Sequence, residues 1–368
     1  MRDPRLDVLA GNLLDHSLKI RPDDKVLIEG EVGSTELMVA LVEAAYERGA
    51  VPFVEYDDPR LRRTWLRGAT REQMDMRVAW EAQRLGELDA CLFIMAGENA
   101  SELADVPAAT MEASRLASEP LMNLYLAKKW VLLRFPTAAM AQGAGMSTEA
   151  FEDLCLDACS LDYARMEKAM DPLVGLMSKT DRVQITGPGT DVDFSIKDIP
   201  ILKAAGSHNL PDGEVHTAPV RDSVNGTVSF NTPSLEQGTT YERIRFTFKD
   251  GRIVDADSNE PEKLRRMLDT DEGARYLGEF ALGLNPLIKS PMKDTLFDEK
   301  ICGSLHLTPG RAYEDADNGN RSSVHWDLVL IQTPEWGGGE IYFDGELVRK
   351  DGRFVLSSLE GLNPENLL

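Results

Sequence analysis

Between residues 25 and 56 the chain passes from a short apolar segment, KVLIEG, through an amphipathic stretch, ELMVALVEAAYERGA, into a second apolar segment, VPFVEY. In the middle piece Leu37, Ala40, Leu41 and Ala44 recur at helical spacing, and Gly49 supplies the stop. Strand, helix and strand in that order leave little topological choice. The two strands lie parallel, and the helix crosses one face of their sheet. ACLFIMAG (90–97) and KWVLLRFP (129–136) continue the series as near-continuous apolar runs, the pattern of strands buried on both faces. Residues 1–180 therefore predict an α/β domain built on a parallel sheet.

The grammar then changes. RIRFTFKDGRIVDADS (243–258) alternates, turns at Asp-Gly and alternates again, which is a hairpin signal. GEIYFDGELVRKDGRFVL (339–356) carries two more Asp-Gly turns. Residues 181–368 are expected to form a β-rich domain of α+β type, with one helical candidate at 261–277. The boundary is placed between the helical stretch 149–180 and the strand RVQITGPG (182–189). The βα turn GEVGSTE (30–36) has glycines at 30 and 33 only, not the G-x-G-x-x-G of a dinucleotide site, and reads as turn chemistry.

Charge removes whole classes of partner. The 62 acidic side chains outnumber 40 basic ones, a formal charge of −22, which argues against nucleic acid and anionic membrane. No apolar run approaches the ~18 residues of a membrane span. The N-terminal apolar residues are spaced as in an amphipathic helix, not continuous as in a signal peptide. Cys91, Cys155, Cys159 and Cys302 form no C-x-x-C pair. A reducing, cytoplasmic compartment is expected.

Candidate chemistry gathers in four segments of the second half. In SSVHWDLVL (322–330), His325 and Asp327 project to one face if the segment is a strand, with Trp326 and Leu328 on the other. A neutral imidazole and an ionised carboxylate so placed suit a divalent cation, although a histidine bonded to its neighbour for structural reasons is the competing account. CGSLHLTPG (302–310) sets His306 opposite two leucines. LPDGEVHTAPV (210–220) offers Glu214 and His216. ARYLGEFALGLNP (274–286) places Glu279 in an almost uncharged stretch. A carboxylate buried there without a partner would cost several kcal/mol or take up a proton. With more than three such ligands, two metals are expected.

Taken in order, NLPDGEV-TAPV-DSVNGTV, DEGARYLGEFALGLNP, LFDEKICGSLHLTPGRAY and NRSSVHWDLV resemble the aminopeptidase T family of dinuclear metallopeptidases. The resemblance is close from about Arg182 to Val329 and weaker before it. It implies an α/β domain followed by a β-rich metal domain, a homodimer, and two divalent ions (Zn²⁺, Co²⁺, Mn²⁺ or Mg²⁺). The ligands it implies are Glu214, Glu279, His306, His325 and Asp327. Tyr313, seven residues after His306, would assist the chemistry. The substrates would be peptides with a free N-terminus. The chain departs from the family in the short interval of 18 residues between His306 and His325, in Pro309, where family members usually have a small residue, and in His216, where they usually have a residue other than histidine. His216 is read as a hydrogen-bond partner of a ligand, with direct ligation as the alternative.

On this reading an activated water attacks the peptide carbonyl, Tyr313 stabilises the oxyanion, and Glu214 or Glu279 carries the proton to the leaving amine. Glu299 is a weaker candidate for that proton. The rival is a non-haem Fe(II) ring-cleaving dioxygenase using His306, His325 and Asp327 alone.

Overall fold

The computed structural model describes residues 2–368. The chain divides into two compact units, Met1–Ser160 with Gly206–Pro211, and Leu161–Ala205 with Asp212–Leu368. The sequence places the boundary near 180. The two differ by the helices Tyr163–Ala169 and Asp171–Met177, both of which contact the C-terminal 3-10 turn Ser357–Leu362.

The first unit is an α/β layer around a five-stranded sheet in the order Val51–Asp57, Lys25–Glu31, Ala90–Met95, Lys129–Arg134, Asn209–Leu210. Every pairing is parallel. The predicted helix runs Thr35–Glu47 and buries Leu37, Ala40 and Leu41. Gly30 serves packing: a Cβ there would come within 2.3 Å of Met38 Sδ. Leu27, Leu85, Leu88, Cys91 and Leu121 form a core on the other face of the sheet. Among the described residues no helix is long and apolar enough to cross a membrane.

The second unit is built on two antiparallel sheets. The larger has eight strands and contains all three Asp-Gly hairpins. At each turn both residues have positive φ: 48° and 80° at Asp250-Gly251, 49° and 86° at Asp344-Gly345, 50° and 77° at Asp351-Gly352. That is the geometry a type I′ turn requires, and it is why Asp-Gly stands at these positions. The smaller sheet has five strands, in the order Leu328–Ile331, Ser304–Pro309, Leu277–Gly283, Glu214–Thr217, Leu202–Ala204. Its central strand is buried at every residue. On one face Phe280 meets Phe194 of the larger sheet, with ring centroids 5.1 Å apart. Arg349 of the larger sheet, 1% exposed, donates to the Ser304 carbonyl at 2.8 Å and ties the two sheets together. The opposite face of the smaller sheet carries the polar residues. The predicted helix at 261–277 is shorter than expected, Pro261–Leu268, and a 3-10 turn follows at Glu272–Arg275.

Candidate metal centre

Register across the smaller sheet places the candidate residues. Ala281 pairs with His216 on one side and with His306 on the other, and Gly283 pairs with Glu214. Glu279, Ala281 and Gly283 lie two apart and so share a face. Two of the three are small, which leaves the space above the strand to their neighbours' longer side chains. A β-bulge between Leu277 and Glu279 re-aims the carboxylate. Its extra residue is Gly278, where a Cβ would lie 2.4 Å from the Gly310 and Arg311 carbonyl oxygens.

The H-x-D segment differs from expectation. The strand starts only at Leu328, and His325 precedes it in an isolated bridge to Gly310. The two side chains still converge, with His325 Nε2 at 3.4 Å from Asp327 Oδ1. Trp326 turns away as predicted. It is buried, donates Nε1–H to Ser234 Oγ at 2.8 Å, and stands 5.0 Å from the Tyr241 ring. The loop from 311 to 324 is held by asparagines. Asn320 donates to the carbonyls of Gly310 and Gly273, and Asn318 to those of Pro219 and Leu277.

All five sequence-predicted ligands meet in one place. Glu279 Oε2 lies 3.3 Å from His325 Nε2, and Oε1 lies 3.8 Å from His306 Nε2 and 3.2 Å from His216 Nδ1. Glu214 Oε2 is 3.8 Å from His306 Nε2. Two groups of converging donors result, Glu214–His216–Glu279 and Glu279–His306–Asp327, each with ligand atoms within 4.8 Å of one another. Glu279 belongs to both.

Three of these atoms are buried and lack a well-aligned hydrogen-bond partner: Glu214 Oε2, His216 Nδ1 and His325 Nε2. His325 is the clearest case. Its Nδ1 sits 2.8 Å from the Arg311 carbonyl, which fixes a proton there and leaves Nε2 facing two carboxylates. An imidazole oriented by a backbone carbonyl through its other nitrogen is the usual setting of a metal-ligating histidine. Thr308 donates to Asp327 Oδ1 at 2.5 Å and orients that carboxylate likewise. The nitrogen and oxygen donors fit a divalent cation of the zinc, cobalt or manganese type.

The sequence reading missed Lys300. It is 1% exposed, with Nζ at 2.7 Å from Glu214 Oε1, 2.8 Å from Glu299 Oε1 and 3.4 Å from Asp212 Oδ1. Five carboxylates (Asp212, Glu214, Glu279, Glu299, Asp327) thus gather near one buried ammonium. The potential is strongly negative. Burial alone would lower the imidazoles' pKa, but the carboxylates override it. Glu279, Glu214 and Asp327 push His306 up to about 10, and Asp327 with Glu279 pushes His325 up to about 9. Burial, with Glu214 and Asp327 nearby, pushes Glu299 up to about 8 against the opposing pull of Lys300. Tyr313 leans over the group, its ring 4.7 Å from that of His325 and 6.1 Å from that of His216.

Residues 2–354 match the family model described as thermophilic metalloprotease (M29). The chain is 28% identical to aminopeptidase T of Thermus thermophilus over 405 residues, covering 95% of this chain and 98% of that one. It is also 28% identical to aminopeptidase 2 of Geobacillus stearothermophilus over 404 residues, covering 95% of each. Among solved structures, wild-type AmpT from Thermus thermophilus superposes with a TM-score of 0.81 at 26% identity, over 96% of this chain and 99% of that one.

Proposed function

The chain belongs to the thermophilic metalloprotease (M29) family, and from that premise we propose that it is a metalloaminopeptidase. Its centre would hold two divalent cations on Glu214, Glu279, His306, His325 and Asp327. The observation that carries the reading is Glu279, whose carboxylate is common to both groups of converging donors. A mononuclear iron centre on His306, His325 and Asp327 has no use for Glu214, and the family match is to metalloproteases, so the dioxygenase reading is set aside.

Bound cations would supply a Lewis acid and bring the pKa of a shared water toward neutrality. The protein's own groups do the rest. Tyr313 stands over the cluster, and its hydroxyl is the donor we assign to the oxyanion that develops on the peptide carbonyl. Glu214 or Glu279 takes the proton released by the attacking water and passes it to the departing amine. Lys300 holds Glu214 Oε1 and so leaves Oε2 directed at the site. A substrate's free α-amine docks in this acidic pocket and sets the first peptide bond over the reacting centre. An acylated N-terminus has no such anchor.

The test is direct. Chromogenic amides of amino acids with a free α-amine should be cleaved, and their N-acetyl counterparts should not, on one preparation reconstituted separately with Zn²⁺, Co²⁺ and Mn²⁺. Equal cleavage of both would contradict exopeptidase action. Tyr313→Phe should lower kcat by ~10²–10³ with metal content unchanged, the usual cost of one oxyanion donor. A parallel loss of bound metal would instead make Tyr313 part of the scaffold.

A further inference from the structure

We propose that His216 is itself a metal ligand, a third imidazole that completes a Glu214–His216–Glu279 sub-site beside the one formed by His306, His325 and Asp327. The inference rests on the two-metal reading above and adds a residue to it.

The strand Glu214–Thr217 is extended, so Glu214 and His216 project to the same face. His216 pairs with Ala281, and so does His306 from the opposite side. The two imidazoles therefore flank one methyl group, with Glu279 two residues along on the same face.

The decisive distance is from His216 Nδ1 to Glu279 Oε1, at 3.2 Å. Were His216 only a hydrogen-bond partner of the glutamate, its N–H would point along that line. At 3.2 Å the buried Nδ1 finds no well-aligned hydrogen bond, to Glu279 or to any other group. A nitrogen and an oxygen this close but poorly aligned for a hydrogen bond are arranged like two donors turned toward a common point. Around a tetrahedral ion with bonds of ~2.1 Å, neighbouring ligand atoms stand roughly 3.4 Å apart. The observed separation is close to that edge. Glu214 supplies the third donor, since ligand atoms of all three residues lie within 4.8 Å of one another.

Without His216 the first sub-site would be poorly furnished. Lys300 occupies Glu214 Oε1, and Glu279 is shared with the other cation. Adding the imidazole gives three protein ligands and leaves one position for water or substrate, the usual form of a catalytic zinc site. It also puts nitrogen in both sub-sites, which favours Zn²⁺ and Co²⁺ over Mg²⁺ and Mn²⁺.

The test counts coordinated imidazoles. Protein labelled with ¹⁵N-histidine and loaded with ¹¹³Cd²⁺ should show metal–nitrogen coupling to three of its five histidines, and His216→Phe should retain only two. Two coupled imidazoles in the wild type, with two cadmium ions bound, would overturn the assignment of His216 and leave the rest of the ligand set standing. Bound cadmium with no coupled imidazole would overturn both. Calorimetric titration of the metal-free protein with Zn²⁺ gives a second readout. His216→Phe should weaken one of two binding steps by more than about 100-fold, beyond the range for losing a mere partner of a ligand. Unchanged affinities would contradict ligation.

Discussion

Glu279→Gln should reduce turnover by on the order of 10³-fold or more while leaving the fold intact. The substitution keeps the volume and removes the charge. It also replaces one carboxylate oxygen with an amide nitrogen, which donates hydrogen bonds and cannot bind a cation. Glu279 faces three imidazoles, at 3.2 Å from His216, 3.8 Å from His306 and 3.3 Å from His325. Losing a shared ligand forfeits several kcal/mol of transition-state stabilisation by a metal ion, and each 1.4 kcal/mol is about tenfold in rate. The metal-loaded mutant should also melt closer to metal-free wild type, because a ligand at a hundredfold excess over its Kd contributes about 2.7 kcal/mol. Steady-state kinetics, circular dichroism and thermal melts on both proteins check this. Near-native activity in the mutant would show that Glu279 holds no metal.

Lys300→Met should destabilise the metal-free protein by about 3–5 kcal/mol, the range for removing one partner of a buried ion pair. The ammonium is held by Glu214, Glu299 and Asp212, and all four side chains are shielded from solvent. Methionine fills most of the space and leaves the carboxylates without their counter-charge. The sign with pH follows. A carboxyl whose folded pKa is raised contributes stability below its unfolded value, about 4.3, and loses it as pH rises through the folded value. Glu299 already stands at about 8 in the wild type, and loss of Lys300, which lowers it, would move it further up. On top of the cost to Glu214 and Asp212, the Glu299 contribution should therefore be the same in both proteins from pH 5 to about 7 and widen the gap as pH rises through 8 and above. Denaturant unfolding of both metal-free proteins across that interval measures it. Equal stability at pH 8 would mean that Lys300 is not the counter-ion of this cluster.

What the sequence makes legible divides along physical lines. Periodicity exposes the βαβ unit, and Asp-Gly pairs expose the hairpins, because both signals are local. Glu279 is visible because a lone charge in LGEFALG needs a partner. Lys300 is not, since a lysine in FDEKICG reads as a solvated turn. Its burial comes from chain returning over the sheet, where Asn285 N–H meets the Lys300 carbonyl at 3.0 Å and Gly283 makes room for the Ile301 carbonyl. The bulge at Gly278 is equally silent, because a single extra residue leaves alternation nearly unchanged. The two-residue strand Asn209–Leu210, which pairs with Leu132 and Leu133 at the edge of the parallel sheet, is too short to carry any period. His216 was visible as a residue, but its role depends on an angle that no sequence encodes.

The most direct measurement is elemental analysis of gently purified wild-type protein, before and after dialysis against Zn²⁺ or Co²⁺. The account predicts close to two divalent ions per chain. A firm stoichiometry of one, unchanged by added Zn²⁺ or Co²⁺, would contradict it.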